Sequence, residues 1–250
     1  LLALVIAFFM WSAWYYAIYA KHKLTLLAKN SEIRIPIFIL IIVLLSGWIL
    51  TDFFGNYTRD ELNNQLITEA STAAAAINTE RVLTLTGTSV DISSPHYKRI
   101  KEQLYNIYKV NSNVRFVYLL GLKDNKIIFL VDAEPEYSKD YSPPGLEYVE
   151  LSSVLKEIFY SGETFIKGPY TDRWGSWVSA FIPVKNVGGS GVISILGFDI
   201  NSKKWIASIY LSRALGIFIT ISIFVFLFSL FLIFAINKNS SLALVASEQN

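Results

Sequence analysis

Cysteine is absent from this chain, histidine occurs twice and methionine once, and Asp, Glu, Lys and Arg together make up only 17% of the residues. Each shortage removes a class of chemistry. Without cysteine there is no disulfide framework, no thiol nucleophile and no thiolate metal site. His22 and His96 stand apart, and neither has a second histidine or a carboxylate at ligand spacing, so no metal or other cofactor is expected. There is no phosphate-binding loop, no GxGxxG, no G-x-S-x-G elbow and no HExxH helix. Gly188-Gly189-Ser190-Gly191 is followed by strand-like sequence, so it reads as a turn and not a phosphate cradle. Asn56-Tyr57-Thr58 has the form of a glycosylation sequon, which matters only on a eukaryotic secretory route. No catalytic motif remains to argue from.

What the chain has instead is long uncharged runs. Hydrophobic residues make up 53% of it, and mean hydropathy is +0.42. Residues 1–20 carry no charge, residues 35–51 (IPIFILIIVLLSGWILT) lie between Arg34 and Asp52, and a third run lies between Arg213 and Lys238. A spanning helix needs about 20 apolar residues. Three membrane helices are therefore expected, at 1–20, 35–51 and 211–236. The chain begins with leucine, and it reads as a fragment whose first helix is truncated. The loop 21–34, KHKLTLLAKNSEIR, holds four basic residues against Glu32, which by the positive-inside rule makes it cytoplasmic. Residues 52–210 then lie outside the membrane, and 237–250 begin a cytoplasmic linker. The region 52–208 has 16 Lys+Arg and 18 Asp+Glu, so the overall +2 is an orientation signal and no nucleic-acid partner is expected.

Within the outer region the hydrophobic period changes along the chain. Leu62, Leu66, Ala70, Ala73 and Ile77 mark one face of a helix over 57–83, with Thr58 and Glu61 in capping-box positions. That face packs on its own domain or forms a dimer seam. Ser94 and Pro95 start a second helix. VRFVYLLGL (114–122) and KIIFLVDAE (126–134) read as strands around a KDN turn, and EYVELSSVLKEIFYSGE (147–163) as a helix. Three further strands follow, and AEPEYSKDYSPPG (133–145) is a polar loop. Hairpins with helices set apart imply an α+β fold on an antiparallel sheet of about five strands, flanked by membrane helices.

One constellation points to binding. Tyr118 lies on the first strand and Asp132 ends the second, while Tyr170, Asp172, Arg173, Trp174 and Trp177 crowd a strand–turn–strand. Aromatics with a few convergent polar groups make small-molecule pockets. Arg173 is suited to a carboxylate and an aromatic face to an ammonium group. The opposing interpretation is plain packing and a solvated turn. Tyr118, Asp132, Tyr170, Asp172, Arg173 and Trp177 are taken as ligand-binding, and Asp199 as structural, capping backbone amides after the last strand.

The segment GPYTDRWGSWVSAFIPVKN…GGSGVISILGFDINSKKW resembles the extracytoplasmic Cache-type, PAS-like sensor domains of prokaryotic receptors. The likeness runs through Pro169, Tyr170, Asp172, Gly175, residues 177–180, Pro183, Gly191 and residues 196–200, and the element order extends it over 52–208. The resemblance implies a small-molecule ligand held over the sheet, transmission through membrane helices, a homodimer, and a histidine kinase or diguanylate cyclase beyond the cytoplasmic linker. Tyr170-x-Asp172 is similar to the end of an amino-acid-binding pattern in some such domains. The Arg-x-Trp-Tyr run that precedes it in the pattern is absent from EYSKDYSPPGLEYVELSS. The rival expectation is a membrane-anchored assembly protein whose outer domain docks a partner.

Overall fold

The computed structural model describes residues 31–186 and 191–248, so the expected first membrane helix and most of the cytoplasmic loop lie outside the described residues. The chain divides into two compact units, residues 54–212 and the segments on either side of them.

In the flanking unit, parts of two long helices, α1 (Ser31–Ala75) and α5 (Ser202–Glu248), are long and apolar enough to cross a membrane. Their most apolar windows are almost wholly unburied by protein, which suits a hydrocarbon solvent. Ser222 and Ser229 donate their hydroxyls to the carbonyls of Phe218 and Val225 one turn back. The two helices come close at Gly47, where a Cβ would lie 2.1 Å from the Thr220 side chain. Arg213 faces Asp52 at 3.4 Å.

Residues 54–212 form the α+β unit. Its sheet has the order β2-β1-β5-β4-β3 and every neighbouring pair is antiparallel. The strands are β1 (Val114–Lys123), β2 (Lys126–Asp132), β3 (Phe165–Thr171), β4 (Ser176–Lys185) and β5 (Val192–Asn201). The β1–β2 turn places Asp124 and Asn125 at φ 49° and 60°, the left-handed conformation these residues tolerate best after glycine. β4 and β5 are consecutive and paired, as the expected second hairpin requires, although Gly188 to Ser190 lie outside the described residues.

Both faces of the sheet are covered, which is why the strand sequences are nearly continuous apolar runs. One face packs Val117, Leu119, Val178, Ala180 and Leu196 against α1 and against α3 (Pro95–Val110). Leu66, Ala70 and Ala73 of α1 are buried there, so the small-residue face considered as a dimer seam is filled by the chain's own core. Ser94 caps α3 by accepting from the His96 amide at 3.2 Å, with Pro95 in the first turn. The opposite face carries Phe116, Tyr118, Phe181 and Ile195 and is covered by α4 (Ser152–Ser161).

Two helix expectations are corrected. The helix expected over 57–83 stops at Ala75 and restarts as α2 (Thr79–Leu83). Asn78 accepts from the Arg81 amide at 3.0 Å, and a good N-cap inside a helical pattern starts a new helix. The helix expected over 147–163 begins only at Ser152. Residues 145–148 pair with β2 instead: Tyr148 N donates to Ile127 O (2.8 Å), Phe129 N to Leu146 O (2.9 Å) and Gly145 N to Phe129 O (2.9 Å). An open edge of backbone donors and acceptors outweighs local helix propensity.

Candidate functional site

A cleft opens on the α4-covered face of the sheet. It is lined by six aromatic residues, Phe116, Tyr118, Phe129, Tyr148, Trp174 and Trp177, with Asp132, Asp140, Ser142, Asp172 and Asp199. It holds about 300 Å³ of empty space counted with its open mouth, but only about 20 Å³ admits the centre of a water molecule. That is room for roughly one water.

The aromatic side of the cleft is built on the β3–β4 turn. Asp172 organises it: Oδ1 accepts from Trp174 N (2.8 Å), Gly175 N (3.0 Å) and Trp177 Nε1 (2.9 Å). The Asp172 amide closes the turn onto Gly175 O at 2.9 Å. Gly175 is required, with φ 148° and an imagined Cβ only 2.5 Å from the Trp177 ring. Trp174 then stacks on Tyr148, at 6.4 Å and 12°, and meets Phe129 edge-on. Trp177 meets Phe116 edge-on at 5.1 Å. Across the sheet, Gly197 makes room for Tyr118, since a Cβ there would lie 2.1 Å from the ring.

The polar side comes from β2, β5 and the loop after β2. Asp132 accepts from the amides of Glu134 (2.9 Å) and Ser142 (2.8 Å), which folds the loop back over the strand. Lys101 of α3 donates to the carbonyls of Asp132 (2.8 Å) and Glu134 (2.6 Å). Arg115 pairs with Asp140 at 2.8 Å and also with Glu134. Asp199, only 4% exposed, accepts from the Tyr118 hydroxyl at 3.3 Å. Hydroxyls continue around it. Tyr170 Oη lies 2.9 Å from Ser179 Oγ and 3.4 Å from Tyr148 Oη, and Ser179 is the cross-strand partner of Asp199.

Burial dominates the proton affinities. The Asp199 carboxyl is pushed up to about 7 by burial, with Asp172 and Asp132 adding repulsion, while the hydroxyls of Ser179 and Tyr118 oppose. Asp132 is pushed up to about 6 by burial, with its two amide donors and Lys101 opposing. Burial also raises Tyr118, Tyr148 and Tyr170, so all three stay protonated and able to donate.

Four of the six residues chosen from the sequence line the cleft: Tyr118, Asp132, Asp172 and Trp177. Tyr170 stands in the hydroxyl ring behind it. Arg173 is not part of the lining: its side chain is half exposed, lies over the Trp174 ring at 3.9 Å and is 3.8 Å from Glu150. Asp199 departs from expectation, since its carboxylate serves a tyrosine hydroxyl inside the cleft and, among the described residues, caps no backbone amide. The reason is period 2, which turns Asp199, Gly197 and Tyr118 to the same side of the sheet. Phe116, Phe129, Asp140, Ser142 and Tyr148 were not singled out in the sequence. Tyr148 sat in a stretch read as helix, and Asp140 and Ser142 in a loop whose folding back depends on Asp132. Among the described residues, no group of three or more His, Cys, Asp or Glu is placed to hold a metal ion.

No protein-family model matches the sequence, and no curated protein matches it. Solved structures give distant likenesses. The ligand-binding domain of the Campylobacter jejuni chemoreceptor Tlp3 in complex with 4-methylisoleucine aligns with TM-score 0.48 and 15% identity, over 73% of this chain and 65% of that one. The Tlp3 sensory domain with isoleucine bound aligns with TM-score 0.46 and 16% identity, over 69% and 66%. The ligand-binding domain of the Pseudomonas aeruginosa amino acid chemoreceptor PctC in complex with GABA aligns with TM-score 0.31 and 15% identity, over 60% and 64%. The chain thus spans just under two thirds of the length of each of these solved chains.

Proposed function

We propose that residues 54–212 are the extracytoplasmic sensor domain of a membrane receptor, of the Cache, PAS-like type. Its cleft takes a small organic molecule bearing a protonated amine. The observation that carries this reading is an imbalance of charge. Asp172 and Asp199 stand beneath a box of aromatic rings, and no basic side chain among the described residues pairs with either. The nearby cations are engaged elsewhere: Arg115 with Glu134 and Asp140, Lys101 with two carbonyls, and Arg173 with Glu150. An ammonium group satisfies both the carboxylates and the ring faces.

On this reading the segments 35–51 and 211–236 cross the cell membrane, and a homodimer carries the signal to a cytoplasmic output domain. The helices that enter and leave the sensor unit are joined inside it, where the Thr58 hydroxyl donates to Ser212 Oγ at 2.7 Å. A ligand that favours one arrangement of this pair shifts the population of the other, and the differential affinity sets the size of the response.

The test is a thermal-shift screen of the full chain in lipid nanodiscs against matched primary amines, amino acids and carboxylates. Amines and amino acids raise the melting temperature, simple carboxylates do not, and Asp172→Asn removes the shift. A shift by carboxylates alone sinks the amine reading, and no shift by any compound favours a partner-docking role.

A further inference from the structure

We propose that Asp199 is a proton-binding group of the cleft, so that the domain responds to external acidity and the proton competes with a ligand cation for one carboxylate. The competition rests on the ligand reading above; the proton site does not.

The geometry is that of a carboxyl group prepared for both of its states. Asp199 lies on β5, in the middle of the sheet, and is 4% exposed. From β1 the Tyr118 hydroxyl reaches it at 3.3 Å. From β4 Ser179 stands opposite it in the strand register. From β3 the Tyr170 hydroxyl bonds Ser179 at 2.9 Å, and the Tyr148 hydroxyl lies 3.4 Å from Tyr170. Hydroxyl groups donate to a carboxylate and accept from a carboxylic acid, so this ring serves either form by rotating protons, with no change of backbone.

The charges around it are of one sign. Asp172 at the β3–β4 turn and Asp132 at the end of β2 both repel a negative Asp199, and among the described residues no basic group pairs with it. Burial and like charges both disfavour ionisation, which holds the group near neutrality, where small changes in external pH alter its charge. A cation in the cleft reverses the balance by favouring the ionised form. By linkage, the proton and the cation then weaken each other by the same factor.

Infrared difference spectroscopy of the full chain in nanodiscs, without ligand, tests the site. A carboxylic C=O band should vanish as pH is raised through neutrality. It should be lost in Asp199→Asn and retained in Asp132→Asn. Two conservative changes should move its midpoint in opposite directions. Tyr118→Phe removes a donor to the ionised form and raises it, whereas Asp172→Asn removes a like charge and lowers it. These variants decide the matter even where Asp199→Asn fails to fold. A band that survives Asp199→Asn in the Asp132→Asn background, where the second raised carboxyl contributes none, or a midpoint moved by neither variant, overturns the proton site. Methylammonium chloride, against matched sodium chloride, is the cation probe and should lower the midpoint. An unmoved midpoint overturns the competition and the amine reading together, and the band alone still decides the proton site.

Discussion

The two faces of the sheet are made by alternate residues of the same strands, yet they do opposite things. Toward α1 and α3, β4 and β5 present Val178, Ala180, Leu196 and Phe198, every one buried against other carbon. Toward the cleft the same strands present Trp177, Ser179, Gly197 and Asp199. The first face is close-packed and indifferent to pH. The second has Asp172 and Asp199, which no cation pairs with among the described residues, rings held by turns, and a gap the size of a water. Stability and recognition are thus divided between faces by a one-residue offset, and a strand that slipped by one residue would lose both.

The largest loss is expected on the aliphatic face. Leu104 of α3 is fully buried there, and Leu104→Ala should cost about 2–5 kcal/mol in chemical denaturation. It should leave the pH dependence of stability unchanged.

On the cleft face the largest effect is one of pH. The Asp199 carboxyl is raised from 3.8 to about 7 in the folded state, so the unfolded chain releases this proton first. Stability is therefore greatest in acid and declines as pH rises from about 4 to about 7, by up to about 4 kcal/mol. Asp132, raised to about 6, adds in the same direction. Denaturation midpoints followed across this range should fall in the wild type and fall much less in Asp199→Asn. A midpoint that rises with pH over that window would contradict the assignment.

Gly197→Ala perturbs the cleft face without touching a charge. Its methyl group would meet the Tyr118 ring, so the ring must leave Asp199, at a cost of about 1–3 kcal/mol and with loss of any ligand-induced melting shift. Asp172→Ala should cost about 1–2 kcal/mol by removing the acceptor of three N–H groups, and Asp172→Asn should recover most of that stability. The smallest effect belongs to Arg173→Ala. Its ion pair is long and its side chain half exposed, so stability should change by less than about 1 kcal/mol. A larger loss would show that the stack on Trp174 holds the turn in place.

Local signals account for much of what was legible. Apolar runs bounded by turn residues located β1 and β2 within two residues of their ends, Ser94 and Pro95 marked the start of α3, and the charge-free runs marked two helices of spanning length. The segment 168–184 stands out in the sequence because it places aspartate, arginine, glycine and two tryptophans around one turn. Arg173 was legible as a cation but not as one that turns outward, because its direction is decided by the Trp174 ring beneath it and by Glu150 across from it.

Most elements, their order and the division into apolar spans and a mixed unit were legible along the chain, because hydrophobic period, capping residues and charge-free length act within a few turns; the break after Ala75 and the strand-like pairing of residues 145–148 were not. The cleft arises from strand pairing. Asp199 and Tyr118 lie 81 residues apart and meet because β1 and β5 are neighbours in the sheet. Tyr148 enters because the open edge of β2 recruits residues 145–148 out of a helical pattern. Such placements depend on which strands pair and on which backbone groups would otherwise be left without partners, and neither quantity is written in any one stretch of the chain.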